Sequence, residues 1–132
     1  MTNYLLDTSV FLWSVAAPER LNRRAQHLLE NPKEALFFSA VSAWEISIKS
    51  SSGKLRLPEP ASSYVPKRLI SRAIRVLPVT HTHSLAAGEL PRHHLDPFDR
   101  MLIAQAQLEG FTILTADRAF EQYEADLFWC GR

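Results

Sequence analysis

Apolar positions along this chain fall into short runs that alternate with longer stretches of helical spacing. Asn3 to Leu6 is a compact apolar run ending at Asp7, which predicts a buried strand, and Thr8 offers a hydroxyl cap for a helix carrying Val10, Phe11 and Val15. Pro18 interrupts that helix. Glu19 to Glu30 resumes helical spacing through Leu21, Ala25, Leu28 and Leu29, and Asn31 and Pro32 close it. Ala35 to Phe38 predicts a second strand, followed by Ser39 as a cap and a helix bearing Val41, Trp44, Glu45 and Ile48 that stops near Gly53.

The pattern then repeats. Leu55 to Ala61 holds two prolines and reads as a loop, and Tyr64, Leu69 and Ala73 lie on a basic helix with Pro66 near its start. Ile74 to Val79 is the next strand candidate, His81 to Leu90 a short helix, and Pro97 to Glu109 a longer helix that turns Met101, Leu102, Ala104 and Leu108 inward before Gly110. Phe111 to Thr115 and Leu127 to Trp129 are the last strands, separated by Asp117 and a helical turn around Phe120. Strands alternating with helices predict an α/β fold, a three-layer α/β/α sandwich with a mainly parallel sheet, because crossover helices must cover both faces. In such sheets ligands collect beyond the carboxyl ends of the strands, so the residues just after each strand carry the functional interest.

Composition narrows this picture. At 132 residues, 46% hydrophobic and 22% charged, the chain fits a single domain over residues 1–132. Its longest uncharged apolar run, Val10 to Ala17, is far below the roughly 20 residues that span a bilayer, and no basic stretch precedes it as in a secretory signal. A lone cysteine, Cys130, forms no intrachain disulfide, which favours a reducing compartment, and the cytoplasm is expected. The net charge of +1 conceals an asymmetry: residues 49–75 hold seven Lys or Arg against the single acid Glu59, and the remainder is net acidic. Such a segment is either a polyanion-binding surface or a solvated helix face.

Among the 14 acids, Asp7, Glu45, Asp96, Asp99 and Asp117 stand at strand ends, in a helix's first turn, or beside bulky apolar residues. Glu45 follows Trp44 and precedes Ile46 and Ile48, which sets its carboxylate on or next to an inward helix face. Two carboxylates about 4 Å apart repel by roughly 4 kcal/mol at an effective dielectric near 20, so a converging set needs a cation or loses its charge. All-oxygen ligation points to Mg²⁺ or Mn²⁺ and away from zinc. Structural roles compete with this reading. Asp96 fits a helix N-cap with Pro97 at the first helical position, Asp117 fits a turn cap, and Glu45 and Lys49 form a favourably oriented i, i+4 pair.

With these residues in place, the chain resembles PIN-domain ribonucleases, and more closely the VapC-type toxins of bacterial toxin–antitoxin pairs. The likeness rests on Leu-Leu-Asp-Thr-Ser at 5–9, Trp-Glu-Ile at 44–46, Asp-Pro-Phe-Asp-Arg-Met-Leu-Ile-Ala-Gln-Ala at 96–106 and Leu-Thr-Ala-Asp at 114–117. The resemblance implies that Asp7, Glu45, Asp99 and Asp117 form an acidic site holding one or two Mg²⁺ or Mn²⁺ ions that cleave RNA, with Asp96 as a cap or outer group. It also implies an antitoxin partner that blocks the acids, and a homodimer. Thr8, Ser9 and Thr115 are candidate hydroxyls for orienting the ligands or a water, and Arg100 and Arg118 are candidate phosphate contacts. Arg68, Arg72 and Arg75 share one helix face by their spacing, with Lys67 beside them, and form a candidate RNA-binding stripe.

Other readings fit less well. A dehalogenase-type phosphotransferase wants a second acid where Ser9 stands, and a receiver-like fold wants a late lysine, whereas no lysine follows Lys67. A noncatalytic RNA-binding module would use the basic segment and treat the acids as caps. The histidines predict little: His81 and His83 point about 200° apart on a helix and His93-His94 lies in a loop, so solvated or capping roles are expected. Trp13, Trp44 and the phenylalanines read as core, although an exposed aromatic can stack on an unpaired base.

Overall fold

A computed structural model describes all residues, Met1–Arg132. Five parallel strands form one sheet: β1 (Asn3–Leu6), β2 (Ala35–Ser39), β3 (Arg75–Leu77), β4 (Thr112–Thr115) and β5 (Asp126–Trp129), in the order β3-β2-β1-β4-β5. Six helices connect them: α1 (Thr8–Ala16), α2 (Arg23–Glu30), α3 (Ala40–Ser51), α4 (Ala61–Ser71), α5 (His81–Glu89) and α6 (Pro97–Glu109). Side chains alternate across the sheet, so consecutive residues of β1 enter different cores. Leu6 joins Val10, Phe11, Phe38, Leu69 and Leu114 on one face, while Leu5 joins Leu102, Ile103, Phe111 and Ile113 on the other. This is the three-layer α/β/α sandwich expected from the alternation of elements. No helix is long and apolar enough to cross a membrane.

From β1 the chain winds to β2 and β3 on one side, and β4 and β5 lie on the other. Neighbouring connections therefore depart in opposite directions at the β1/β4 pair and leave a crevice beyond its carboxyl end. β1 pairs with β4 from Tyr4–Thr112 to Leu6–Leu114, so Asp7 and Thr115 emerge side by side at that crevice.

Several local expectations are corrected. α2 begins at Arg23, capped by the Asn22 side chain on the Ala25 N–H, and a 3₁₀ turn at Pro18–Arg20 occupies the predicted first turn. α4 ends at Ser71 with Pro66 in its interior, and Ala73 lies outside it in the left-handed region at φ 54. Arg72 is therefore a helix-end residue and Arg75 belongs to β3, so Arg68, Arg72 and Arg75 do not form a helical stripe. Trp44 is 62% exposed. The buried face of α3 is built from Val41, Ser42, Glu45 and Ile46, and at 100° per residue Trp44 falls roughly 130° from its centre. Leu108, near the end of α6, is also exposed.

Candidate active site

Four elements deliver the acids to one place. Asp7 follows β1, Glu45 sits in the second turn of α3, Asp99 lies in the first turn of α6, and Asp117 follows β4. Together with Asp96, they line a cleft of about 380 Å³. Asp7 and Glu45 are buried at its base, Asp99 is half-buried, and Asp117 is exposed at its rim.

The capping roles are divided among these acids. Asp96 caps α6, accepting from the N–H groups of Phe98 and Asp99 at 2.9 and 3.0 Å, as its position before Pro97 predicted. Asp117 accepts from the Ala119 N–H at 2.9 Å. Asp7 occupies the N-cap position of α1 but makes no capping bond with its side chain. Its Oδ2 accepts from the buried Thr115 hydroxyl at 2.9 Å, and the Thr115 oxygen accepts in turn from the Asp117 N–H at 3.0 Å. Thr115 thus links Asp7 to the backbone of Asp117. The Thr8 hydroxyl turns to Ser42, at 2.9 Å, and fastens α1 to α3, while Ser9 lines the cleft.

Electrostatics separates the acids further. Burial, followed by repulsion from Asp99, lifts the Asp7 carboxyl from its ordinary 3.8 to about 7, with the Thr115 hydrogen bond opposing. Burial likewise lifts Asp99 to about 6, against the hydrogen bond from His94. Glu45 instead has a partner: Lys49 Nζ lies 2.6 Å from its Oε2, and the hydrogen bond to Glu45 holds the Lys49 ammonium above its usual range.

Some residues were missed or misread from the sequence. His94 is not a cap and is only partly solvated, because its Nε2 lies 2.8 Å from Asp99 Oδ2. The solvated or capping role expected of the histidines is therefore corrected for His94. Lys49 and Lys54 line the cleft, so part of the basic segment does reach the acids, through α3 and the loop after it. Of the residues expected to touch RNA, Arg68 is held 3.0 Å from Glu59 and stacks over Tyr64, while Lys67 lies 2.8 Å from the same carboxylate. Those two cations hold the Glu59 carboxyl below its usual range. Arg118 is exposed, pairs with Glu121 and lies 3.8 Å over the Trp129 ring. Arg100 is corrected outright: it is buried, and its guanidinium donates to the carbonyls of Ala87, Leu90, Pro91 and His94 within 3.2 Å. No signal in the local sequence separates this arginine from a surface one.

The donor set fits a divalent cation. Buried carboxylates with lifted proton affinity lack positive charge, and carboxylate oxygens with a ring nitrogen are ordinary ligands for such ions. One ring nitrogen of His94 and one carboxylate oxygen each of Asp99 and Asp117 lie within 4.8 Å of one another. Asp7 and Glu45 present their carboxylates to the same cleft.

Comparison with known proteins agrees with this architecture. Residues 4–126 match the family model described as PIN domain. Over 124 residues, covering 93% of each chain, the sequence is 29% identical to "Ribonuclease VapC22" of Mycobacterium tuberculosis. A second protein of that organism, "Ribonuclease VapC16", is 40% identical over 57 residues, 43% of this chain and 40% of its own. Among solved structures, VapBC2 from Rickettsia felis bound to a promoter DNA fragment superposes with a TM-score of 0.75 at 18% identity, covering 98% of this chain and 99% of that one. DNA-bound VapBC from Salmonella typhimurium gives 0.68 at 20% identity, covering 97% and 98%. These structural likenesses concern the fold.

Proposed function

The chain belongs to the PIN domain family, and from that premise we propose that it is a Mg²⁺- or Mn²⁺-dependent endoribonuclease acting as the toxin of a toxin–antitoxin pair. One observation carries the reading: Asp7 and Asp99, from distant parts of the chain, converge in a cleft where burial lifts their carboxyls to about 7 and about 6. A fold gains nothing from gathering uncapped, buried acids unless a cation offsets their repulsion. Asp7, Glu45, Asp99 and Asp117 are the residues that would hold it. A divalent ion bound there supplies positive charge for the developing phosphoryl negative charge and activates water for in-line attack.

The chain's own groups have separate tasks. Thr115 orients Asp7 through its 2.9 Å hydrogen bond, and Asp96 sets the start of α6 so that Asp99 faces the cleft. Lys49 and Lys54 bring the cationic charge that attracts a phosphate backbone into an otherwise acidic cleft. Trp44, exposed beside Glu45 and edge-on to Phe98 at 5.5 Å, offers a ring face to an unpaired base. A noncatalytic RNA-binding module, with acids serving only as caps and surface pairs, accounts for Asp96, for Asp117 and for Glu45 beside Lys49, and leaves the convergence of Asp7 and Asp99 unexplained.

The toxin reading is supported by relatives named as ribonucleases and by neighbours solved as VapBC assemblies. It calls for a small antitoxin whose cationic side chain enters the acidic cleft, a homodimer, and a cytoplasmic setting in which the buried thiol of Cys130 stays reduced. The deciding experiment is cleavage of total cellular RNA by the purified protein and by Asp7→Asn, with and without chelator, and with cut sites mapped. Metal-dependent cuts made only by the unaltered protein support the proposal. Binding without cleavage at saturating Mn²⁺ sinks it. Expression of the chain alone should arrest growth in a way that Asp7→Asn does not, and coexpressed antitoxin should relieve the arrest.

A further inference from the structure

We propose that His94 is a direct nitrogen ligand of the cation in this cleft, forming with Asp99 and Asp117 a mixed nitrogen–oxygen set that favours Mn²⁺ over Mg²⁺. The inference rests on the reading of the cleft as a cation site and extends it from acids alone to a chosen metal. Its basis is a loop held in place at several points. His94 lies between α5 and α6, where an imidazole on an ordinary loop would be free to reorient in solvent. Here the Tyr123 hydroxyl accepts from the His94 N–H at 2.9 Å and donates to the His94 carbonyl at 3.0 Å, so a single side chain grips both backbone groups of this residue.

Arg100 holds the same loop from beneath. Its buried guanidinium spans the carbonyls of Leu90, Pro91 and His94, and also bonds to the end of α5 through Ala87. Burying a guanidinium with no carboxylate beside it, against carbonyls and the Tyr123 hydroxyl, is costly, and its result is a backbone position held at several points. The ring so placed approaches Asp99 at 2.8 Å and shares with Asp99 and Asp117 a spacing of 4.8 Å or less between donor atoms, which one divalent ion can bridge.

Pairing with Asp99 alone does not account for the convergence with Asp117. Without a cation, the 2.8 Å contact between Nε2 and Asp99 is bridged by a proton; a bound ion would take that proton's place, the ring keeping its remaining proton on Nδ1 and offering the Nε2 lone pair beside the Asp99 and Asp117 oxygens. Mg²⁺ demands oxygen ligands and gives up its waters reluctantly, whereas Mn²⁺, which shares its liking for carboxylates, is a first-row transition ion that accepts an imidazole nitrogen more readily. One nitrogen in the set therefore tilts selectivity towards Mn²⁺.

The test uses Mn²⁺ bound to the purified full chain and pulsed electron paramagnetic resonance, which detects nitrogen coupled to the ion. Nitrogen modulation is expected in the unaltered protein and in His93→Gln, and its loss is expected in His94→Gln. The ratio of Mg²⁺ to Mn²⁺ dissociation constants should fall at least about tenfold in His94→Gln, mainly through weaker Mn²⁺ binding. A merely positioning histidine would weaken both ions together and give no nitrogen signal. Mn²⁺ binding without nitrogen modulation in the unaltered protein overturns this inference and leaves the cation site standing. Failure of that protein to bind Mn²⁺ at all overturns both. Because the unaltered chain decides the spectroscopic arm, instability of the variant cannot obscure the result.

Discussion

Replacing Asp7 by Asn should stabilise the metal-free protein at neutral pH while removing the site's function. Burial and the neighbouring Asp99 carry the Asp7 carboxyl from 3.8 to about 7, which corresponds to roughly 4 kcal/mol at 1.36 kcal/mol per pH unit. Because the folded-state value lies above the unfolded one, the folded chain binds the extra proton. Asp7 therefore costs nothing below about pH 4, its penalty grows as pH rises towards 7, and it is complete above that. Asparagine has the same shape and no charge, so it escapes the penalty. Its amide group can face the Thr115 hydroxyl in place of Oδ2, and mismatch there costs about 1 kcal/mol. The balance is a gain of about 2–3 kcal/mol at pH 8, or roughly 10 °C in melting temperature for a chain of this size. Thermal melts in EDTA from pH 4 to 8.5 measure it: the variant should melt higher at pH 8, and its advantage should vanish near pH 4. Mn²⁺ at about 100 times its Kd should then stabilise only the unaltered protein, by about 2.7 kcal/mol, and close the gap. A variant that melts at or below the unaltered protein at pH 8 in EDTA, or a difference independent of pH, would refute the assignment of Asp7 as a charge held ready for a cation.

Further outcomes follow from the same geometry. Chelation should abolish RNA cleavage, Asp99→Asn and Asp117→Asn should be inactive yet folded, and Asp96→Asn should keep most activity because asparagine caps nearly as well; cleavage assays beside circular dichroism check all three. Lys54→Gln should weaken RNA binding and flatten its salt dependence by about 0.7 in log K per log salt for each phosphate it no longer neutralises, whereas an Arg72→Gln/Arg75→Gln double variant, altered away from the cleft, should leave the slope unchanged in fluorescence anisotropy titrations. Ala73→Gly should raise stability by up to about 1 kcal/mol in urea unfolding, since glycine adopts φ 54 without the side-chain clash that alanine meets.

Periodicity and chain punctuation made the α/β/α layering legible from the sequence. All five strands lie where apolar runs end in Asp, Ser or Thr, or precede a turn, and Asp96 reads as a cap because Pro97 follows it. These are local properties, carried by residues within a few positions of one another. The strand-end rule even located Asp7 and Asp117, because where a strand stops is itself local.

Tertiary structure decided what depends on residues far apart. The sequence offers Arg75 both to a helical stripe and to a strand over Ile74 to Val79, and the pairing of Arg75 to Leu77 with Phe37 to Ser39 decides for the strand, so α4 ends at Ser71. Trp44 is apolar but points outward, since the docking of α3 rather than residue type set its inward face. Arg100 is buried because carbonyls of α5 and of the loop after it converge on its guanidinium only once α5 and α6 have packed together. His94 reaches Asp99 because Tyr123, 29 residues further along the chain, closes on its backbone. A sequence window records which groups a segment carries, but the free energy that orients them comes from contacts across the fold.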